Sequence, residues 1–562
     1  MNRLILNCVV CFTLLISFVT SLRATPEVEA TAKVETKPDA KEEIKYFEEP
    51  PLSVTTHTIS IGGKTLKYHA TAGYIVLKEE EGKPLIKSPG QKPPEPKTEA
   101  KSEEPTKTKD GQKAKAKVFF VAYVLDDTGE TATRPLTFAF NGGPGSSSVW
   151  LHMASVAPRR ANLTDDGEAP PPPYQLVDNE STWLDRTDLV FIDPVSTGYS
   201  RPVGKEDPQQ YHGLKEDIAS VGDFIRLYTS RNNRWLSPKF ILGESYGTTR
   251  AAGLSDYLQN RYGLYFNGII LVSSALNFQT IEFTPQNTDP YVQFLPSYAA
   301  SAWYHQKLPA DLQAKSLAEV VDAARAFAGS NYVLALARGD QLPAAEKQRL
   351  AETISRFSGL PATDILLWKL KIRDELFFTH LLRPEGKVLG RLDARFSGLR
   401  YEPGSDVSFD RGDEYDPSSE AVNGPLGAAF NDYVRRELRY ESDLPYELMS
   451  DVGPWNFGDA SGGYPNTADD LRKAMTRHPY LKIWVTCSYY DLATPFFAAE
   501  NVVAGMNLEP SLRANLRFSY YESGHMLYIH KPSRVKFKTD FEAFLNDAIH
   551  QQPIHTATRA VR

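Results

Sequence analysis

One pentapeptide constrains this chain more than any other stretch of it. Gly243-Glu244-Ser245-Tyr246-Gly247 follows the apolar run Phe240-Ile241-Leu242 and leads into a helical pattern from Thr248. A strand, a sharp turn carrying a serine between glycines, and then a helix is the linear form of a nucleophile elbow, which lifts a hydroxyl above the end of a sheet. Five residues alone are a weak signal, so the surroundings have to carry the expectation. Short apolar runs of strand length stand at 136–140, 189–192, 240–242 and 269–272, separated by longer segments. Between two of them Leu214, Ile218, Val221, Ile225 and Tyr228 recur at helical spacing. Alternation of this kind predicts an α/β fold, with a mostly parallel central sheet flanked by helices.

That rhythm is interrupted. Residues 277–441 read as a largely helical cap insertion, with helical stretches at 312–327 and 344–357. Its acidic segment, with Asp406, Asp410, Asp413 and Asp416, lacks the spacing of an EF-hand and is read as solvated loop, with no metal assigned. The strand pattern resumes at 481–486 and 516–521, so the core is expected in two pieces, 53–276 and 442–550. Ahead of the elbow, 54–71 alternates about Gly62-Gly63 as a hairpin, and Val118-Phe119-Phe120-Val121-Ala122-Tyr123-Val124 continues the sheet. The intervening 79–117 is dominated by Lys, Glu, Pro, Gly and Thr and reads as a low-complexity loop.

Met1-Asn2-Arg3 precedes an apolar run over 4–19, with small residues at Ser21 and Ala24, so 1–24 is read as a signal peptide and 25–52 as a disordered linker. Export to a periplasmic or extracellular location follows. Stable membrane insertion does not, because the run is shorter than the roughly 20 residues needed to span a bilayer. Cys8 and Cys11 fall in the leader, which leaves Cys487 as a packing residue and no internal disulfide; a large core folds without one. Residues 551–562 form a tail. A formal charge of −7 over 562 residues argues against a nucleic-acid partner. Oligomeric state has no signature here.

A serine hydroxyl is a weak nucleophile until a histidine takes its proton and a carboxylate holds that imidazole in the right tautomer. In the chain order of this architecture the acid and then the histidine follow the serine, each just beyond a strand. Asp491 follows 481–486, and His525 follows 516–521. His530, after Leu527-Tyr528-Ile529, is read as structural. Two backbone donors are also needed for the oxyanion, one from Tyr246 and one from the loop Asn141-Gly142-Gly143-Pro144-Gly145, where Gly143 is the candidate.

These segments, continued by Ser146-Ser147-Ser148 and joined by Gly524-His525-Met526 and by Asp193-Pro194-Val195-Ser196-Thr197-Gly198-Tyr199-Ser200, resemble the serine carboxypeptidase family from about 136 to 529. The resemblance implies an α/β-hydrolase fold, a Ser245, Asp491 and His525 triad, and release of a C-terminal residue through an acyl-enzyme without a cofactor. It also implies that Glu244 and Asn141, beside Gly142, hold the substrate's free carboxylate, a task Glu244 performs only when protonated. Asp193 to Ser200 looks like the family's substrate-side loop. The second glutamate of the family is missing; Ser155 stands at its position, and Arg159 is the candidate for bidentate recognition in its place. A family disulfide is absent at Ser146. The expected function is an exported serine-type carboxypeptidase acting on peptides with a free C terminus. An esterase or acyltransferase on the same fold is the alternative, and a non-catalytic binding protein a more distant one; side-chain preference and pH optimum stay open.

Overall fold

The computed structural model describes residues 46–79, 106–126, 129, 133–402, 415–458 and 463–551. The expected signal peptide, most of the linker, residues 80–105 of the low-complexity loop, most of the acidic segment and nearly all of the tail lie outside these residues.

The main sheet is built from β1 (Ser53–Ile61), β2 (Lys64–Glu79), β3 (Lys113–Leu125), β4 (Leu136–Phe140), β5 (Asp188–Ile192), β6 (Lys239–Glu244), β7 (Gly268–Val272), β8 (Lys482–Ser488) and β9 (Leu516–Tyr521). They lie side by side in the order β1-β2-β3-β5-β4-β6-β7-β8-β9. The first three strands, and the contact of β3 with β5, are antiparallel. From β5 onward every pairing is parallel.

Why the central strands read as unbroken apolar runs follows from the two-residue period of a strand. Ile241, Ile269, Leu271, Ile483 and Val485 enter one core, while Phe240, Leu242, Ile270, Val272 and Trp484 enter the core on the opposite face. A parallel strand covered on both faces needs apolar side chains on both. Each large one contributes about 1.5–3 kcal/mol by leaving water. The first core is closed by α1 (Leu214–Arg231) and α2 (Tyr246–Tyr262).

The insertion is helical, as expected, and shares the first core: Phe294, Leu295 and Tyr298 of α3 (Asp289–Tyr304) belong to the same apolar cluster as β7. Its last long helix, α4 (Pro417–Arg436), packs into the second core through Val422, Leu426 and Phe430. That core is completed by α5 (Lys531–Ile549), through Phe537, Phe541 and Phe544. The expected helical stretch 312–327 is broken into Ala310–Gln313 and Leu317–Phe327, because Ser316 and Glu319 form a capping box that starts the second helix afresh. The expected loop 79–117 is shorter than its composition implied, since β3 begins at Lys113. Lysines there alternate with the fully buried Ala114 and Ala116, and Lys113 and Lys115 both pair with Glu206. Among the described residues no helix is long and apolar enough to cross a membrane.

At the edge formed by the strand starts, opposite the elbow, Asp188 at the head of the interior strand β5 ties several elements together. Its carboxylate accepts from Arg134 Nε and Arg234 Nη1, both at 2.7 Å, and from the backbone N–H of Leu125 at 3.2 Å. Arg234 is 2 % exposed. Asp188→Ala leaves that guanidinium buried without its counter-charge, which should cost about 3–5 kcal/mol in a urea-unfolding measurement. A cost below about 1 kcal/mol would contradict this account of the edge.

Candidate active site

β4 and β6 are neighbours, with Phe140 opposite Gly243, so the chain leaving one strand emerges beside the chain leaving the other. Ser245 turns the end of β6 directly into α2 with φ 60° and ψ −129°. Holding a residue with a side chain in such a conformation costs about 1–3 kcal/mol, and the return is a half-buried hydroxyl at the rim of the sheet. The glycine loop closes on this elbow from the side of β4. A β-carbon on Gly142 would collide with the Tyr246 amide and lie 2.7 Å from the Gly247 amide, while Gly143 adopts φ +99°. Only glycine serves at either place. Tyr246 is the first residue of α2, where helix N–H groups lack partners within the helix, so its amide and that of Gly143 are the candidate oxyanion donors.

The acid and the histidine come from the other half of the core. β8 and β9 are adjacent, with Ser488 opposite Tyr521, and the loops beyond them bring Asp491 and His525 together. Asp491 is fully buried. Its Oδ1 accepts from the N–H groups of Ala493 and Thr494 at 2.8 and 2.9 Å, and its Oδ2 accepts from Thr494 Oγ1 at 2.8 Å. The same Oδ2 lies 2.8 Å from His525 Nδ1. An ionised carboxylate only accepts, so the proton sits on Nδ1 and the lone pair of Nε2 is free for a base's work. Burial alone would lower the pKa of this imidazole; the Asp491 carboxylate and, more weakly, Glu244 overcome it and hold the pKa above the ordinary histidine value.

A segment of the insertion stitches these two loops to each other. Leu492 N–H donates to Arg391 O at 3.1 Å, His525 N–H to Leu392 O at 2.6 Å, and Ala394 N–H to Tyr490 O at 3.0 Å. Gly524 N–H donates to Asp393 Oδ2 at 3.0 Å. Asp393 is buried and gripped by Arg395, with Nε and Nη2 at 3.0 and 2.7 Å. Nothing in the local pattern of 390–395 announces this, because the partners are single amides more than 95 residues away in the chain. From β7, Ser273 Oγ adds a bond to His525 O at 2.7 Å.

Ser245 and His525 both line a cavity of about 430 Å3, together with Asn141, Gly142, Gly143, Glu244 and Tyr246. A larger hollow of about 600 Å3, lined by Asn277, Asp289, Asn466, Arg472 and Asn501, contains none of these groups, so the smaller cavity is the candidate site. Glu244 is buried, with Oε1 accepting from Asn141 Nδ2 at 3.0 Å and Oε2 from the hydroxyl of Tyr528. Burial pushes its pKa up to about 7, against the opposing pull of His525, Tyr528 and Asn141. Tyr528, three residues past His525, has no counterpart in the sequence reading. Beneath the glycine loop, Arg250 donates to Asn141 O at 2.7 Å and to the buried Asp217 at 2.8 Å, fixing the loop from below.

Arg159 is the candidate that the structure does not bring to this cavity. It lies on the short strand Arg159–Ala161, where its guanidinium binds Asp178 on the paired strand and Glu437, at 2.8 Å, just past α4. Two carboxylates outside the cavity hold the charge there. Ser155 is buried in the turn His152–Val156 and does not line the cavity either. The segment 193–200 sits behind the glycine loop rather than on the lining: Asp193 Oδ1 accepts from Ser148 N–H and Oγ at 2.8 and 2.7 Å. His530 bonds Ser533 Oγ at the start of α5, and Cys487 is buried in β8 with its thiol pKa raised by burial. Among the described residues no group of His, Cys, Asp and Glu is placed to hold a metal ion.

Asp393→Ala removes the acceptor of Gly524 and strands the buried Arg395 guanidinium. An unfolding free energy lower by about 3–5 kcal/mol is expected from chemical denaturation; a change under about 1 kcal/mol would mean that the stitch carries little of the structure.

Residues 107–358 match the model of the family described as serine carboxypeptidase. Pheromone-processing carboxypeptidase KEX1 of Saccharomyces cerevisiae is 35% identical over 135 residues, which are 23% of this chain and 17% of the yeast protein. Serine carboxypeptidase-like 51 of Arabidopsis thaliana is 32% identical over 160 residues, 27% of this chain and 32% of the plant protein. The alignments thus span well under half of either relative. The crystal structure of a prohormone-processing carboxypeptidase from Saccharomyces cerevisiae superposes with a TM-score of 0.48 at 16% identity, covering 85% of this chain and 91% of that one. Over residues 107–358, then, this chain is similar to the serine carboxypeptidase family.

Proposed function

We propose that this protein is an exported serine-type carboxypeptidase that removes the last residue of peptides with a free C terminus. The observation that carries the reading is the buried 2.8 Å bond of Asp491 to His525 Nδ1, which leaves Nε2 as the basic nitrogen of a residue that lines the same cavity as Ser245. Ser245 Oγ attacks the carbonyl carbon of the final peptide bond and passes its proton to His525 Nε2. The negative oxygen so formed meets the amides of Gly143 and Tyr246, already aimed and partly shielded from water. Collapse breaks the carbon–nitrogen bond, and the departing amine takes the proton from His525. Water then attacks the Ser245 ester, giving its proton to His525, which returns it to Ser245 Oγ as the ester bond breaks and the shortened peptide leaves as a carboxylic acid. The apolar leader at 4–19 supports export of such an enzyme.

A fluorophosphonate probe should label the purified protein at Ser245 and leave Ser245→Ala unlabelled. A folded wild-type protein that resists the probe would sink the reading. N-blocked dipeptides with a free carboxylate should be cleaved faster than their C-terminal amides; hydrolysis of simple esters alone would point instead to an esterase.

The pH dependence has a definite sign. His525 works as a base only when neutral, and its pKa is held above the ordinary value, so kcat/KM should fall as the pH drops through a midpoint above that value. Asp491→Asn removes the strongest influence that raises the pKa and leaves burial, which lowers it. The midpoint should move to lower pH while kcat falls by about 10^4, the loss seen when a triad acid is neutralised in other serine hydrolases. An unmoved midpoint in rates measured from pH 4 to 9 would count against the assignment of the base.

A further inference from the structure

A peptide cut at its last bond brings a carboxylate into the cavity, one residue beyond the carbonyl that Ser245 attacks. The groups that the family resemblance assigns to that charge are poorly suited to it here. Glu244 accepts on both oxygens, from Asn141 and from Tyr528, so in its ionised form it presents like charge to the substrate. Ser155 stands where a second glutamate is expected and does not line the cavity, and Arg159 is bound to Asp178 and Glu437 elsewhere.

Arg391 differs from all of these. It lines the same cavity as Ser245, His525 and Glu244, and its side chain is 45% exposed. Its backbone is fixed on both sides: the N–H donates to Asp416 Oδ1 at 3.2 Å, and the carbonyl accepts from Leu492, the residue after Asp491, at 3.1 Å. The guanidinium is held less tightly, with Nε 3.8 Å from Asp374 Oδ2, beyond hydrogen-bond reach. Its charge is already felt in the site, where it opposes protonation of His525 and of Glu282, the second acid on the lining. Burial, reinforced by Asp374, nevertheless pushes the Glu282 pKa upward.

We propose that Arg391 binds the substrate's terminal carboxylate, in place of the acid pair of the family, and so sets the preference for peptides with a free C terminus. This rests on the carboxypeptidase reading. A guanidinium does not titrate near neutrality and offers two parallel N–H donors to a carboxylate, a fit that a glutamate must be protonated to approach. The recognition group is supplied by the insertion, from the segment that also stitches the Asp491 and His525 loops together.

The test compares the full-length wild type with Arg391→Gln and Arg391→Lys on N-blocked dipeptides, on the same dipeptides amidated at the C terminus, and on a small ester without a carboxylate. In Arg391→Gln, kcat/KM for the free dipeptides should fall about 10- to 100-fold, mostly through KM, and by about tenfold or more beyond any change in ester hydrolysis or fluorophosphonate labelling, which report what loss of the Arg391 charge does to His525. Arg391→Lys should restore part of the loss. Unchanged dipeptide kinetics, or equal losses on dipeptide and ester, would overturn the assignment of Arg391. A wild type that hydrolyses the ester but no free dipeptide would overturn the carboxypeptidase reading itself, and Arg391 with it; an intact peptidase whose preference survives Arg391→Gln isolates the failure to this residue.

Discussion

The site depends on two turns occupying the same small volume. β4 and β6 lie side by side, and the loops that leave them meet so closely that a β-carbon on Gly142 has no room beside the Tyr246 amide. That contact holds the backbone of the glycine loop against the elbow. It also explains why strain is tolerated at Ser245, whose φ of 60° is supported by a strand behind it, a helix ahead of it and a neighbouring loop pressed against it. Arg250 completes the support from below through its bonds to Asn141 and Asp217.

The second half of the site is organised by buried charge. Asp491, Glu244 and Asp393 are all buried, and each is satisfied in a different way: Asp491 by backbone amides, Thr494 and His525; Glu244 by Asn141 and Tyr528; Asp393 by Arg395 and an amide. In a poorly hydrated interior these fields reach one another. Glu244 helps to raise the pKa of His525, and His525 helps to lower that of Glu244. The insertion therefore supplies the backbone that joins the Asp491 loop to the His525 loop.

Much of this was legible in the chain. The unbroken apolar runs of β4, β6, β7 and β8 signalled strands buried on both faces, and Ser245, Asp491 and His525 were recognisable because each follows such a strand in the order that this architecture requires. Asn141, Gly142, Gly143, Glu244 and Tyr246 also reach the cavity as expected. Arg159 did not, because a charged side chain near a motif in sequence is free to choose partners from anywhere in the fold, and Asp178 and Glu437 were nearer. Tyr528, Asp393 and Arg391 left no trace, since each reaches the site through contacts with residues distant in sequence.

Local chemistry by itself determined where the backbone must turn sharply, which residues are candidates for nucleophile, base and acid, and which runs must be buried. Those properties are written in periods of a few residues and in the conformations that glycine alone permits. Tertiary structure alone decided that an insertion loop clasps the loops of Asp491 and His525, that Glu244 is bound on both oxygens, and which arginine lines the cavity. Such outcomes depend on the positions of isolated donors and charges after the sheet has closed, and no spacing along the chain encodes them.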